Sequence, residues 1–567
     1  MKKELVINVS NLKELHNNFK ESTILDLSGS IDCKDKVIPS DFFDEATIYP
    51  LMLKKYWLFS ENIINVNRLL NIKVNNLSIY WLSACAVKYH SRHWAKDFFL
   101  LLTILEQCQQ KIEQNYTSLV LVLPTKISTL KNTIEALLQK QHYTLSIHFV
   151  FDNQATYTPS LGAIIKGVIS QLRQIKQLKI TAEKVTNSIY LHGNRPTEIQ
   201  FRKAVEQLFT ENKKVLTPIP YYWQTDKLPV SFLQHKPSIL QLITLVAQLI
   251  KAYYRINKLP HSTINIGSCH QLSTSFLRNE LKLTLRKNIH LFIYQQWLSN
   301  YFSTLKQSTS IFFEDEFYEI GRTISSVSKP FKNITSYGMQ HAHFMEMHTV
   351  YSIYDKELEK GLPIPDHFVT WGKGYNQLFL QHNSLPESYT KALGNPIYIR
   401  QNIATTFPTT IKNILWCLTT KECMNIEWNC MKNAISHTNY NLNIRLHPLK
   451  HISEEEVIDK LKGIHFTFHN EGSIQEAIAQ NDLIVSSAHS TTFLDATIAK
   501  KYSIRITSRF WNGTMNMDNA VLKTVKNEEE FSQRLSYFDN VISSNDNDFF
   551  FIEMNVDYWR KFLASNN

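Results

Sequence analysis

The chain has little cysteine: seven residues in 567, at positions 33, 85, 108, 269, 417, 423 and 430, odd in number, scattered, and nowhere spaced Cys-x-x-Cys. That excludes a disulfide framework and a cysteine zinc site as organising devices, and suggests reduced thiols in a cytoplasmic protein. Long apolar runs are missing too. The longest, 239 to 254, is interrupted by Gln241, Gln248 and Lys251, which makes it too short and too polar to be expected to span a bilayer. The opening Met1-Lys-Lys-Glu-Leu-Val-Ile-Asn has no apolar core of the kind a secretory signal needs, because its apolar run ends at Asn8. There is no low-complexity tract, no dense Lys/Arg run, no Gly-rich RNA-binding signature and no Cys/His finger, so no nucleic-acid partner is expected. The formal charge of +11 is spread along the chain and suits a smaller anionic partner or the anionic inner face of a membrane, where the protein would sit peripherally. With 43% hydrophobic and 20% charged residues, the composition is that of an ordinary globular protein, long enough for two or three domains.

Apolar runs punctuated by turn residues predict an α/β chain. Leu119 to Leu123 and Leu145 to Phe151, with a helical stretch from Leu130 to Gln139 between them, read as a parallel strand-helix-strand unit. A further strand is expected over Ser188 to Leu191, helices over 231 to 305, and a strand Ser310 to Phe313 that empties into Glu314-Asp315-Glu316-Phe-Tyr-Glu319. Another strand runs from His367 to Trp371. The stretch from Gln401 to Lys412, with Pro408 and several threonines, reads as an interdomain linker, after which Ile414 to Leu418 opens a second α/β unit. The expected divisions are an accessory α/β region over 1–115, a Rossmann-like half over 116–400 with a helical insertion, a second Rossmann-like half over 401–545, and a terminal helix over 546–567.

The richest stretch lies between 445 and 492. Asn441 to Leu446 alternate as a half-buried strand that stops at Pro448, placing Arg445 and His447 at its tip. Ser473 and Glu476 have capping-box spacing, so a helix is expected from there to about Gln480. Asp482 to Ser487 then form a strand, and a helix is expected to begin near Ser490, with the N–H groups of Thr491, Thr492 and Phe493 open at its start. Arg445, His447, Ser486, Ser487, Ser490, Thr491 and Thr492 would thus gather at the carboxyl ends of neighbouring strands, where open α/β sheets bind ligands and where helix starts attract phosphate. The acidic run at 314–319 offers general bases, with Glu314 the leading candidate and Asp315 and Glu316 its rivals.

These motifs, in this order, resemble bacterial surface-carbohydrate glycosyltransferases of the GT-B fold, among them Kdo transferases and sialyltransferases that use CMP-activated nonulosonic acids. The resemblance covers roughly residues 310 to 500 and rests on Glu314 with Glu319, Gln340-His341, Trp371-Gly372, Arg445-Leu-His447-Pro448, and Ser490-Thr491-Thr492 with Asp495-Ala496. Relatives often carry glycine after Gln-His, where this chain has Ala342, and acidic-Asp-Gly where it has Glu-Asp-Glu. The resemblance implies two Rossmann-like domains facing a cleft and a CMP-sugar donor gripped by the 445–492 residues. It further implies a glycan or lipid-linked glycan acceptor beside Asp315, Glu316, Glu319, Arg322, Gln340 and His341, catalysis by Glu314 and His447, and no bound metal or other cofactor. The sugar's carboxylate would be met by His341, Arg322 or Arg445.

Two other classes compete. His341-Ala-His343-Phe-Met-Glu346-Met-His348 has the spacing of a metal cluster, since His-x-His on a strand presents both rings to one side, and a metal-dependent hydrolase would follow. A non-catalytic glycan-binding protein would use the same residues without turnover.

Overall fold

The computed structural model describes residues 4–538 and 561–562 except for internal stretches, of which the longer are 9–18, 28–35, 193–214, 219–227, 396–406 and 507–517. Three all-parallel sheets follow one another along the chain. The first has the strand order Lys36–Val37, Thr23–Asp26, Glu4–Asn8, Ser118–Leu123, Ser146–Phe151. The second runs Val215–Pro218, Ser188–His192, Thr309–Phe313, Ile334–Met339, His367–Thr370, Thr390–Ala392. The third runs Phe466–Phe468, Asn441–Arg445, Asn413–Cys417, Leu483–Ser487, Tyr502–Ile506, Leu522–Val525. Thr309–Phe313, Leu483–Ser487 and Tyr502–Ile506 are buried at every position, as parallel strands with both faces covered must be.

The two Rossmann-like units expected from the sequence are the second and third sheets. The division between the first two units lies elsewhere than expected. Ser118–Leu123 pairs with Glu4–Asn8 in register Leu5↔Leu119, so this strand and Ser146–Phe151 complete the first sheet instead of opening the second. The unread partner, Glu4–Asn8, is short and polar at both ends, and its pairing is non-local. Two helices, Trp94–Gln107 and Gln109–Asn115, follow one another with a break at Cys108. Within 231–305 a hairpin, Thr263–Asn265 with Gln271–Ser273, separates the helix Ile239–Asn257 from Ser275–Lys287 and Ile289–Phe302.

Buried apolar side chains form one continuous core from the first sheet, through these helices, to the second sheet, while the third sheet has a core of its own. Phe493, Leu494 and Leu522 of the third unit join the larger core, so the units are packed together. Two buried charges fasten the first unit to the second. Arg322, in the helix Glu319–Ser328, donates from Nε to the Phe317 carbonyl at 2.8 Å and from Nη1 and Nη2 to the carbonyls of Trp81 and Ala86, each at 2.9 Å. Lys88 donates to Glu357 Oε2 at 2.5 Å and to the Ser352 carbonyl at 2.6 Å, with both side chains all but sealed from solvent. Burial pulls the Lys88 ammonium down to about 8, against the opposing pull of Glu357.

Candidate active site

Strand order reverses in the second sheet between Ser188–His192 and Thr309–Phe313, and in the third between Asn413–Cys417 and Leu483–Ser487. Ligands of open α/β sheets bind outside the carboxyl ends of strands at such reversals. The acidic run follows Thr309–Phe313, and Ser486 and Ser487 end Leu483–Ser487, so both sets stand where topology opens a crevice.

At the second sheet, Glu314 and Glu316 are buried at the strand tip. Glu316 Oε2 lies 3.1 Å from His341 Nδ1, just past the neighbouring strand, and the His341 side chain keeps 20% of its surface exposed. The other carboxylate oxygen, Oε1, has no hydrogen-bond partner among the described residues. With Glu316 ionised and the imidazole neutral, the carboxylate only accepts, so Nδ1 carries the hydrogen and Nε2 is the basic nitrogen, the arrangement by which a carboxylate sets a histidine tautomer. Gly338 makes this possible. A Cβ there would stand 2.5 Å from Glu316 Cβ and 2.8 Å from Pro365 Cγ, so only glycine lets the Glu316 side chain lie across the strand. Tyr318 packs edge-on to His341, with ring centroids 6.0 Å apart.

At the third sheet, Arg445, Cys417, Ser486, Arg505 and Thr524 share one row across five strands. Arg505 is fully buried and donates to Thr524 Oγ1 from Nε at 3.2 Å and from Nη2 at 2.6 Å, with Asp518 3.9 Å away. Burial lowers its guanidinium to about 10 against the opposing pull of Asp518. Burial likewise pushes the Cys417 thiol up to about 12, so it is no nucleophile at neutral pH. The Ser486 hydroxyl is buried without a hydrogen-bond partner among the described residues. Above this row, Ser490 and Thr492 hydroxyls lie 2.9 Å apart beside Thr491, all three partly buried.

The two tips meet. His343, two residues beyond His341, packs edge-on to Phe493, two residues beyond Thr491, with ring centroids 5.2 Å apart. The His343 Nδ1 is also 2.7 Å from the Tyr375 hydroxyl, and the Arg505 guanidinium lies 4.9 Å over the Phe493 ring. The Phe562 ring, near the chain end, packs on Tyr337 of the second sheet.

Several expected ligands do other work. Arg322 is buried with its guanidinium on three backbone carbonyls, so it is a clasp between units and is unavailable to a sugar carboxylate. Arg445 donates to the carbonyls of His469, Glu471 and Gly472, at 2.7, 3.1 and 2.7 Å, and thereby shapes the loop before the helix Ile474–Ala479. Gln340 is buried and binds Trp371 twice, its side-chain oxygen accepting from the Trp371 N–H at 2.9 Å and its carbonyl from the indole at 2.7 Å. Glu319 sits in the first turn of its helix, partly buried. The helix after the third-sheet tip begins at Thr492, and the Thr492 N–H is already taken by Ser490 Oγ at 3.2 Å, which closes one of the N–H groups expected to be open. His447 is partly buried just beyond its strand end. Asp315, Pro448, Glu346 and His348 lie outside the described residues. Among the described residues no group of three or more His, Cys, Asp or Glu is gathered as for a metal, and His341 and His343 turn their Nδ1 atoms to different partners. Sequence reasoning missed Arg505, although a charged residue inside the apolar strand Tyr-Ser-Ile-Arg-Ile is a legible signal of a buried, partnered cation.

No protein-family model matches the sequence, and no curated protein matches it. Among solved structures, the chain is similar to a UDP-GlcNAc 2-epimerase from Neisseria meningitidis bound to UDP-GlcNAc, with 12% identity and a TM-score of 0.37 over 67% of this chain and 98% of that one. It is also similar to the lipopolysaccharide outer core galactosyltransferase WaaB, with 11% identity and a TM-score of 0.38 over 67% of this chain and all of that one. A third similarity is to the wall teichoic acid polymerase TagF, with 8% identity and a TM-score of 0.33 over 78% of this chain and 97% of that one.

Proposed function

We propose that the protein is a glycosyltransferase that moves a nonulosonic acid from a CMP-activated donor onto a surface polysaccharide or lipopolysaccharide acceptor. The observation that carries the reading is the contact of His343 with Phe493, which sets the Glu316–His341 pair and the Ser490–Thr492 hydroxyls on two sides of one junction between parallel-sheet tips. The ordered motifs from Glu314 to Ala496 support the same assignment.

In this reading the acceptor hydroxyl gives its proton to His341 Nε2 while its oxygen attacks the anomeric carbon of the donor. The bond from that carbon to the phosphate oxygen breaks, and CMP leaves with the electron pair. Glu316 holds the imidazole and stabilises the imidazolium that forms, in the manner of a carboxylate behind a catalytic histidine. Glu314, buried at the same tip, is the rival base. Charge growing on the departing phosphate is met by the hydroxyls of Ser490, Thr491 and Thr492 and by His447, donors already fixed before the reaction. No divalent metal or other cofactor enters the scheme.

A thermal-shift screen tests the donor. A nucleotide at 100 times its dissociation constant stabilises by about 2.7 kcal/mol, so CMP should raise the melting temperature well above the effect of UMP or GMP. His341→Gln should abolish sugar transfer and leave the CMP shift intact, whereas Ser490→Ala with Thr492→Val should weaken both the CMP shift and transfer. Equal shifts from all nucleotides would end the CMP assignment. Stoichiometric zinc, iron or manganese in the purified protein would favour the hydrolase reading instead.

A further inference from the structure

The helix Ile239–Asn257 carries two apolar faces. The inner one, Leu245, Leu249, Ala252 and Ile256, recurs at helical spacing and is buried against the neighbouring helices. The outer one has no cover among the described residues. Ile239, Leu240, Ile243 and Tyr254 are 79%, 73%, 60% and 54% exposed, and on a helical projection they fall on the side opposite the buried set, with Ala247 between them. Scattered exposed apolar residues need no explanation, but these account for four of the seven large ones exposed among the described residues and lie along one line. That line spans about 22 Å of helix.

The charge along this segment has one sign. Lys236, Lys251, Arg255 and Lys258 are exposed around the stripe, and no Asp or Glu occurs from Lys236 to Lys258. A protein partner would be met by an apolar patch with a polar rim, whereas an apolar stripe whose own segment carries only cations matches the boundary between acyl chains and anionic headgroups. By length and composition, this helix is the one among the described residues that is long and apolar enough to cross a bilayer. Its capping box at Ser238 and Gln241, the Gln241 bond to Asn300 at 2.8 Å and its buried inner face hold it to the protein, which fits a helix lying along a surface.

We infer that Ile239–Asn257 is a docking surface for an anionic membrane: Ile239, Leu240, Ile243 and Tyr254 enter the interfacial layer while Lys236, Lys251 and Arg255 contact lipid phosphates. Docking does not depend on the sugar chemistry, and its test is separate. Purified protein is floated with vesicles of phosphatidylcholine alone or with one part phosphatidylglycerol to three of phosphatidylcholine. The parent should float with the anionic vesicles only. Ile239→Ser with Leu240→Ser and Ile243→Ser should lower partitioning by about tenfold or more at any salt, because apolar insertion is lost. Lys236→Gln with Lys251→Gln should weaken it at low salt and little at high salt, because screening already removes that attraction. An unchanged urea midpoint in both variants would show that the fold survives. Failure of the parent to float, equal flotation of the serine variant, or conversion of a dimer to a monomer by that variant without loss of flotation would each overturn the proposal.

Discussion

Adding one methyl group at residue 338 probes how closely the Glu316–His341 pair is built. In Gly338→Ala the new Cβ would sit 2.5 Å from Glu316 Cβ and 2.8 Å from Pro365 Cγ, both backed by packed structure. Ordinary carbon contacts need about 3.5–4.0 Å, so Glu316 and the strand carrying residue 338 must separate by about 1 Å. Overpacking of this kind costs about 1–3 kcal/mol, read as a lower urea midpoint with an unchanged slope. A displacement of about 1 Å in a group that orients a base costs roughly 100-fold in turnover, read as CMP release with donor and acceptor present. The two effects are separable: in a Glu316→Gly background the stability cost should shrink by about 0.5 kcal/mol or more, because one of the two clashes is gone, while activity stays lost. If Gly338→Ala matched the parent in midpoint and in turnover, the close crossing of Glu316 over this strand would be refuted. If only stability fell, Glu316 would have no part in orienting the base.

Lys88→Met should destabilise the protein by about 3–5 kcal/mol, since it strands the Glu357 carboxylate in the core, and adding Glu357→Leu should recover most of that loss; equal costs for the single and double variants would contradict a coupled pair. His290 is pulled down to about 4 by burial, partly offset by its hydrogen bond to the Lys287 carbonyl, so the unfolded chain takes up a proton between pH 6.5 and 4 that the folded protein refuses. Its stabilisation is therefore complete above pH 6.5 and fades as pH falls toward 4, by about 3 kcal/mol for the full shift and about 2 once the ring's partial exposure is discounted. Denaturant midpoints measured across that window should fall in the parent and flatten in His290→Gln; parallel curves would show that other groups carry the acid dependence.

Local signals were legible. The capping box at Ser473 and Glu476 forms with both of its bonds, at 3.1 and 2.7 Å, and its helix ends at Ala479 with Gln480 as cap. Strands rich in apolar residues and stopped by turns, such as Thr309–Phe313 and Leu483–Ser487, fell within a residue of their expected ends. Partnership across the chain was not legible. Arg322 finds its acceptors 241 and 236 residues away, and nothing near it in sequence distinguishes a clasp from a sugar ligand. Glu314 and Glu316 looked alike in a run of acids, and only the packing of Gly338 and the approach of His341 separate them. Arg445 was placed correctly at its strand tip, but the loop carbonyls that hold it come from a turn whose path the sequence leaves open.

The Arg322 clasp bears on how this molecule can be cut or recombined. A guanidinium inside the protein does not tolerate an empty socket in place of the carbonyls of Trp81 and Ala86. Shortening the polypeptide from its beginning would therefore take away two of the three carbonyls that hold this cation and bare the helix that follows the acidic ledge to water, and swapping in a foreign leading region would leave the cation buried and underpaired unless it brought matching oxygens. The steadiness of the ledge is thus borrowed from a stretch of chain remote from the junction where His343 meets Phe493.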